Sequence, residues 1–393
     1  MGHIAKPAFV TPSEKTIFVP FIHAFGGVER LVLGLSRFLH QRDCAHVIVC
    51  FNQTIDLAAH ADWPLKVREL KPRRNPLIEA RALSRHLREV SASRADPALV
   101  FDLNGSLYAG FSSRGSYVLH LTDPPSLLPT DVSKNALSLR RCGSSAAHPV
   151  GWCQSLRAEL VHRANARGVR KAAAVIVMTH FIAQEIKDLY GVTPQIVRPG
   201  VPVPTQKPAR SRVAHDEPVR LLSVSRLEAN KRIDWILRAL AEAPIRTDNL
   251  VLDVVGDGSQ APELKRLAQE LGLGQKVVFH GRVPDERLKD IYKASHVFLM
   301  PAVQGYGLPA LEALASGTPV ILHRESGVAE ILTGTPWAEV MDNAPGSLAR
   351  ALSTMLGRLR DGFFQTIALP AVPTENDWAQ EICRTCGWIK THE

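Results

Sequence analysis

The chain has 393 residues, 45% hydrophobic and 22% charged. This is the composition of a folded protein of two or three domains, and it excludes a disordered chain. The formal net charge is +9, and the longest aliphatic run, Ala172–Met178, falls well short of the ~18–20 apolar residues that cross a membrane. Met1–Lys15 has no apolar core of the kind a signal peptide needs, so none is expected. The charge is unevenly spread. Residues 1–205 carry 25 Lys+Arg against 15 Asp+Glu, whereas residues 206–393 carry 22 against 23. A basic half suggests an anionic partner, although a solvated surface gives the same count. The six cysteines are irregularly spaced, and Cys383/Cys386 form a lone Cys-x-x-Cys where a structural zinc site needs four ligands. Reduced thiols and a cytoplasmic location are therefore expected.

In chain order, Thr16–Ile22 reads as a strand, followed by the loop His23-Ala-Phe-Gly-Gly27 and a helix over Val28–His40. His46–Phe51 is a second strand. Leu77, Ala80, Leu83, Leu87 and Val90 recur at helical spacing, and Ala98–Phe101, Ser116–His120 and Ala173–Met178 are further strands. Four prolines in Arg198–Pro208 can continue neither a helix nor an inner strand, so this stretch reads as an interdomain linker. The alternation restarts with strand Val219–Val224 and helix Ile233–Ala241, then strand Leu250–Val255 and helix Pro262–Leu271. The strands Lys276–Phe279, Val297–Met300 and Thr318–Ile321 complete the set. Asn376–Trp388 reads as a short terminal helix. Strands alternating with helices predict two α/β domains, each a Rossmann-like, doubly wound parallel sheet, with a cleft between them.

Open parallel sheets bind ligands beyond the carboxyl ends of their strands, where glycines open the next helix. Three stretches fit. The first is Gly26-Gly27-Val28-Glu29, which a tight strand–helix turn would equally explain. The second, Gly256-Asp-Gly258-Ser-Gln-Ala261, matches the dinucleotide fingerprint and raises an NAD(P)-dependent oxidoreductase as an alternative. The next strand ends in His280-Gly281-Arg282, without the carboxylate that would hold a ribose. The third runs from Pro301 through Gln304-Gly305-Tyr306-Gly307-Leu308-Pro309 to Glu312, with Pro309 suited to a first helical turn.

With Ser225-Arg226-Leu227-Glu228-Ala-Asn-Lys231-Arg232, these motifs make the chain resemble the family 4 retaining glycosyltransferases of the GT-B fold. The resemblance is densest over residues 219–332. It implies a first domain over 1–200, a donor domain over 201–373, and a terminal segment, 374–393, returning to the first domain. It implies transfer of a sugar from a nucleotide-diphospho-sugar, with no cofactor; the absence of an Asp-x-Asp motif agrees with a metal-independent site. By the resemblance, Arg226 and Lys231 hold the donor diphosphate, Glu312 holds the ribose, and His120 contacts the donor sugar. Gly26, Gly27, Gly256, Gly258, Gly305, Tyr306, Gly307 and Leu308 line the donor. Asp123, Gly327 and Glu330 are secondary candidates. Gln304 stands where the family has a Glu that holds sugar hydroxyls; the amide keeps the length and an acceptor but loses the charge. This departure raises a second alternative, a non-catalytic GT-B module that binds nucleotide-sugars.

The basic half then gains a use, because the first domain of this fold takes the acceptor. Arg81, Arg85 and Arg88 lie opposite the apolar face of their helix, and Lys66, Arg68, Lys71, Arg73 and Arg74 precede it. They suggest an anionic lipid or polyprenyl-diphosphate acceptor and peripheral contact with the inner face of a membrane. Nucleic acid is not expected, since Trp63 is the only aromatic nearby.

Overall fold

The computed structural model describes residues 14–389 apart from 24, 72–74, 92–96, 112–115, 128–151, 203–212, 215–216, 243–248 and 345. The chain divides into two compact units. The first comprises Met1–Val197 with Asn376–Glu393, and the second Arg198–Glu375.

The first unit is built on β1 (Lys15–Phe18), β3 (His46–Cys50), β5 (Val67–Glu69), β6 (Ala98–Phe101), β7 (Tyr117–Leu121), β8 (Ala174–Val177) and β9 (Gln195–Ile196), in the order β5-β3-β1-β6-β7-β8-β9. Every pairing in it is parallel. The single strand expected over Thr16–Ile22 is two. Pro20 has no amide hydrogen to give to a ladder, so the chain leaves the main sheet after Phe18. It resumes as β2 (Phe21–Ile22) beside β4 (Asn52–Gln53). Helix α1 (Gly27–His40) turns Leu31, Leu35, Phe38 and Leu39 into the core, the apolar stripe its 3.6-residue period provides. Helix α2 spans Pro76–Ser91 and buries Ala80, Leu83 and Leu87. Helix α3 (Asp102–Gly110) packs on α4 (Trp152–Lys171), with α5 (His180–Tyr190) next in sequence.

The second unit has the strands β10 (Val219–Val224), β11 (Leu250–Val255), β12 (Val277–Gly281), β13 (Val297–Met300), β14 (Val320–His323) and β15 (Ala338–Met341). Their order is β12-β11-β10-β13-β14-β15, all parallel. The near-continuous Val, Ile and Leu of these strands suit a sheet covered on both faces. Between them run α6 (Ile233–Ala241), α7 (Ala261–Glu270), α8 (Asp285–Ala294), α9 (Leu308–Ala315) and α10 (Ala329–Leu332). Then follow α11 (Ser347–Arg360) and α12 (Phe363–Thr366). Val201 and Thr374 form a parallel bridge where the chain enters and leaves this unit.

Helix α13 (Glu375–Thr385) brings the chain end onto the first sheet. Trp378, Ala379, Ile382 and Cys383 are buried, and the Trp388 indole N–H donates to the Pro97 carbonyl at 3.0 Å. Both sheets reverse their strand order beside the first strand of the unit, between β1 and β6 and between β10 and β13. In open α/β sheets this switch point is where loops diverge and leave room for a ligand.

Candidate functional site

In the second unit the two loops at the switch point are joined side chain to side chain. The loop after β10 is a short turn, Ala229–Lys231, that ends at Arg232 in the left-handed region (φ 55°). Arg232 is held there by stacking over Trp235, 4.3 Å from the ring centre, and by donating to Asn343 at 3.0 Å. Its neighbour Lys231 reaches across, and its Nζ donates to Gln304 Oε1 at 2.9 Å. Gln304 belongs to the loop after β13, and its amide nitrogen lies against the Met300 sulfur. Gly327 and Val328 donate their backbone N–H groups to the carbonyls of Gln304 and Tyr306, which ties the loop to the segment before α10.

Gly307 opens α9 at φ 126°. A Cβ there would lie 2.7 Å from Met300 Cε and 2.9 Å from Gln304 Nε2, so the residue must be glycine for Gln304 to keep its place. Leu308 and Pro309 open the helix, whose dipole places partial positive charge at this end. Glu312, one turn on, accepts a hydrogen bond from the Tyr292 hydroxyl at 2.8 Å. Tyr306 departs from the expected role. Its side chain is buried and its hydroxyl donates to the Pro199 carbonyl at 2.7 Å, so only its backbone remains for a ligand.

The fingerprint glycines have a packing role. Gly256 adopts φ 130°, and a Cβ would fall 1.8 Å from the Ser225 carbonyl oxygen; at Gly258 it would lie 2.5 Å from that of Leu227. The loop thus lies directly on Ser225–Leu227. Leu227 donates to the Asp257 carbonyl, Gln260 to that of Leu227, and Ser259 holds the Glu228 carboxylate through its amide and hydroxyl. Those two bonds lower the Glu228 pKa. The effect is to brace the segment that presents the exposed Arg226. The fingerprint therefore marks a backbone-on-backbone contact, which needs glycine as strictly as a pyrophosphate would.

In the first unit, Gly26 caps α1 and its N–H donates to Glu29 Oε2 at 3.0 Å, while Gly27 stands in open space. This helix start carries its own carboxylate, unlike the glycine-rich start of α9. His120 is a correction. It is 0% exposed, packed against Phe101 and edge-on to Trp378 with ring centres 5.8 Å apart, and neither ring nitrogen has a hydrogen-bond partner. Burial depresses its pKa to about 3. It is a neutral core residue rather than a sugar contact, because the helix from the chain end covers it.

What stands at the first switch point is Asp102, which the sequence reading missed. It follows β6 directly, in the left-handed region (φ 64°), and accepts a hydrogen bond from Thr122 Oγ1 at 2.5 Å. Desolvation, with lesser contributions from Asp123 and Glu29, raises its carboxyl pKa to about 7, against the Thr122 bond that lowers it. The only sequence signal was a carboxylate immediately after an apolar strand, Ala98–Phe101. Of the other candidates, Glu330 pairs with Arg198 at 3.7 Å, and Gly305 is buried in the loop after β13. Arg81 and Arg85 are exposed, as is Ile78 on the same helix, while Lys66 and Lys71 pair with Glu14 and Glu69. Arg73, Arg74 and the Arg88 side chain lie outside the described residues.

Two family models divide the chain between them. "Glycosyltransferase Family 4" matches residues 25–203 and "Glycosyl transferases group 1" matches residues 205–356. The chain belongs to glycosyltransferase family 4. The D-inositol 3-phosphate glycosyltransferase 2 of Catenulispora acidiphila is 34% identical over 208 residues, 48% of this chain and 49% of that protein. The GDP-mannose-dependent alpha-(1-6)-phosphatidylinositol monomannoside mannosyltransferase of Mycolicibacterium smegmatis is 29% identical over 253 residues, 60% of this chain and 64% of that protein. The match thus spans about half to two-thirds of these relatives' lengths. Among solved structures, a glycosyltransferase from Rickettsia africae superposes with TM-score 0.68 at 15% identity, over 97% of this chain and 100% of that one. Anabaena Alr3699/HepE in complex with UDP and glucose gives 0.66 at 16%, over 96% and 100%. At these identities the likeness establishes the fold, which is GT-B.

Proposed function

We propose that the chain is a retaining glycosyltransferase that moves a hexosyl group from a nucleotide-diphospho-sugar to an acceptor, with the donor at the switch point of the second unit and no metal ion required. The observation that carries the reading is the Lys231–Gln304 bond, which fixes an ammonium between the two diverging loops. Departure of the donor diphosphate builds negative charge, and fixed cations lower the barrier by meeting charge that exists only in the transition state. Lys231 and Arg226 take that role, and the partial positive charge at the start of α9 adds to it. Glu312 takes the ribose hydroxyls. In front-face transfer the departing phosphate oxygen accepts the acceptor proton, so no protein nucleophile is assigned. UDP and glucose in a protein of the same fold support the donor class.

The acceptor reading rests on charge. The first half of the chain holds the whole basic excess, and each basic residue near an anionic membrane surface contributes about 1 kcal/mol. An anionic lipid or polyprenyl-diphosphate acceptor fits, and a relative named for a phosphatidylinositol mannoside agrees. Among the described residues no helix is long and apolar enough to cross a membrane, so contact would be peripheral.

The test is a panel of UDP- and GDP-sugars, scored by thermal shift and then by turnover, with Lys231→Ala alongside. The variant should lose ~10²–10³-fold in kcat; unchanged turnover overturns the assignment. A second reading, a binding module without catalysis, draws on the neutral Gln304. Gln304→Glu separates the two, since a large gain in transfer marks a lapsed enzyme and a loss marks an active site built for the amide.

A further inference from the structure

The Tyr292 side chain sits one layer behind the donor site and bonds to Glu312. It is 3% exposed, and its ring lies 6.1 Å from that of Phe298 on β13. Its backbone carbonyl accepts from Thr318 Oγ1 at 3.2 Å, and the carbonyl of Ser295, at the end of the same helix, accepts from that hydroxyl at 3.3 Å. The phenol is therefore anchored by α8 and by the turn before β14, neither of which belongs to the donor loops. From this anchor its hydroxyl donates to Glu312 Oε2 at 2.8 Å, a charge-assisted hydrogen bond.

A free glutamate at one turn inside a helix samples several rotamers, and fixing it on a ligand costs up to ~1.5–2 kcal/mol of side-chain entropy. A bond to one carboxylate oxygen, made before the ligand arrives, removes part of that cost. A carboxylate held in this way suits a vicinal diol. We propose that Tyr292 is a positioning residue that pre-orients Glu312 to read the ribose hydroxyls of the nucleoside diphosphate. This rests on the reading of Glu312 as the ribose ligand.

The experiment is titration calorimetry of UDP and GDP against their 2′,3′-dideoxy counterparts, on wild type, Tyr292→Phe, Glu312→Gln and the double variant. The ratio of ribo to dideoxy affinity isolates recognition of the diol from that of base and diphosphate. Expected is a ~5–10-fold weaker ribonucleotide affinity in Tyr292→Phe, with dideoxy affinity unchanged and no further loss in the double variant beyond Glu312→Gln. A donor KM raised by the same factor, with kcat unchanged, should accompany it. If Glu312→Gln erases the ribo preference and Tyr292→Phe keeps it, the inference falls and the ribose reading stands. If Glu312→Gln keeps the preference, the ribose reading falls and this inference with it. A merely structural tyrosine would weaken ribo and dideoxy ligands alike, which also overturns the proposal. Should Tyr292→Phe melt more than a few degrees early, Tyr292→His, which retains a ring donor, serves as a second variant, and the ribo preference should then be partly restored.

Discussion

The two units share the same strand order around the switch point and differ in what they place there. In the second, Lys231 and Gln304 close the gap across β10 and β13, beside a glycine-rich helix start whose first turn holds no carboxylate. In the first, the first turn of α1 carries Glu29 and the start of α3, directly after β6, carries Asp102, bonded to Thr122, with Asp123 nearby. A common backbone thus presents cations in one copy and carboxyls in the other. The basic excess of the first half does not reside at its own switch point; it lies on surfaces such as α2, where Arg81 and Arg85 are exposed. Topology decides where a ligand goes, and a few side chains decide which charge it carries.

The largest effect that would break this comparison is at Gly256. Gly256→Ala forces a side chain at φ 130° into the Ser225 carbonyl. It should destabilise the second unit by roughly 3 kcal/mol or more and withdraw the support of Arg226. Denaturation monitored by Trp235 and Trp337 fluorescence would read it, and a melt like that of wild type would refute the packing role.

A smaller effect sharpens the comparison from the first unit. His120 stays neutral when folded down to about pH 3, whereas the unfolded side chain protonates near 6.5, so acidification across that window favours the unfolded state. Asp102 acts the opposite way. Its folded pKa of about 7 lies above the unfolded value of 3.8, so acidification across that range favours the folded state. Each slope is at most ~1.4 kcal/mol per pH unit, the value for one proton. Relative to wild type, His120→Phe should gain stability as pH falls from 6.5 to 4.5, and Asp102→Asn should lose it. Urea midpoints measured at several pH values check both signs; parallel curves would refute both assignments.

Much of the second unit was legible in the sequence. Strands Val219–Val224, Leu250–Val255 and Val297–Met300 and helix Ile233–Ala241 match their observed bounds. Gly307 and Pro309 mark the start of α9, because strand–helix alternation, glycine and proline act locally. The break at Pro20 was also written there and was overlooked. Helices α3, α4 and α5 were not foreseen, and with them went Asp102, whose backbone conformation nothing local announces.

The sequence by itself determined the alternating elements, the glycines of the switch-point loops and the sign of each half, since these depend on residues close together in the chain. Only the tertiary structure decided that Lys231 meets Gln304, that Tyr292 holds Glu312 and that Trp378 covers His120. Those pairings join separate elements, and whether a histidine is a ligand or a core residue depends on what covers it once the chain end has returned.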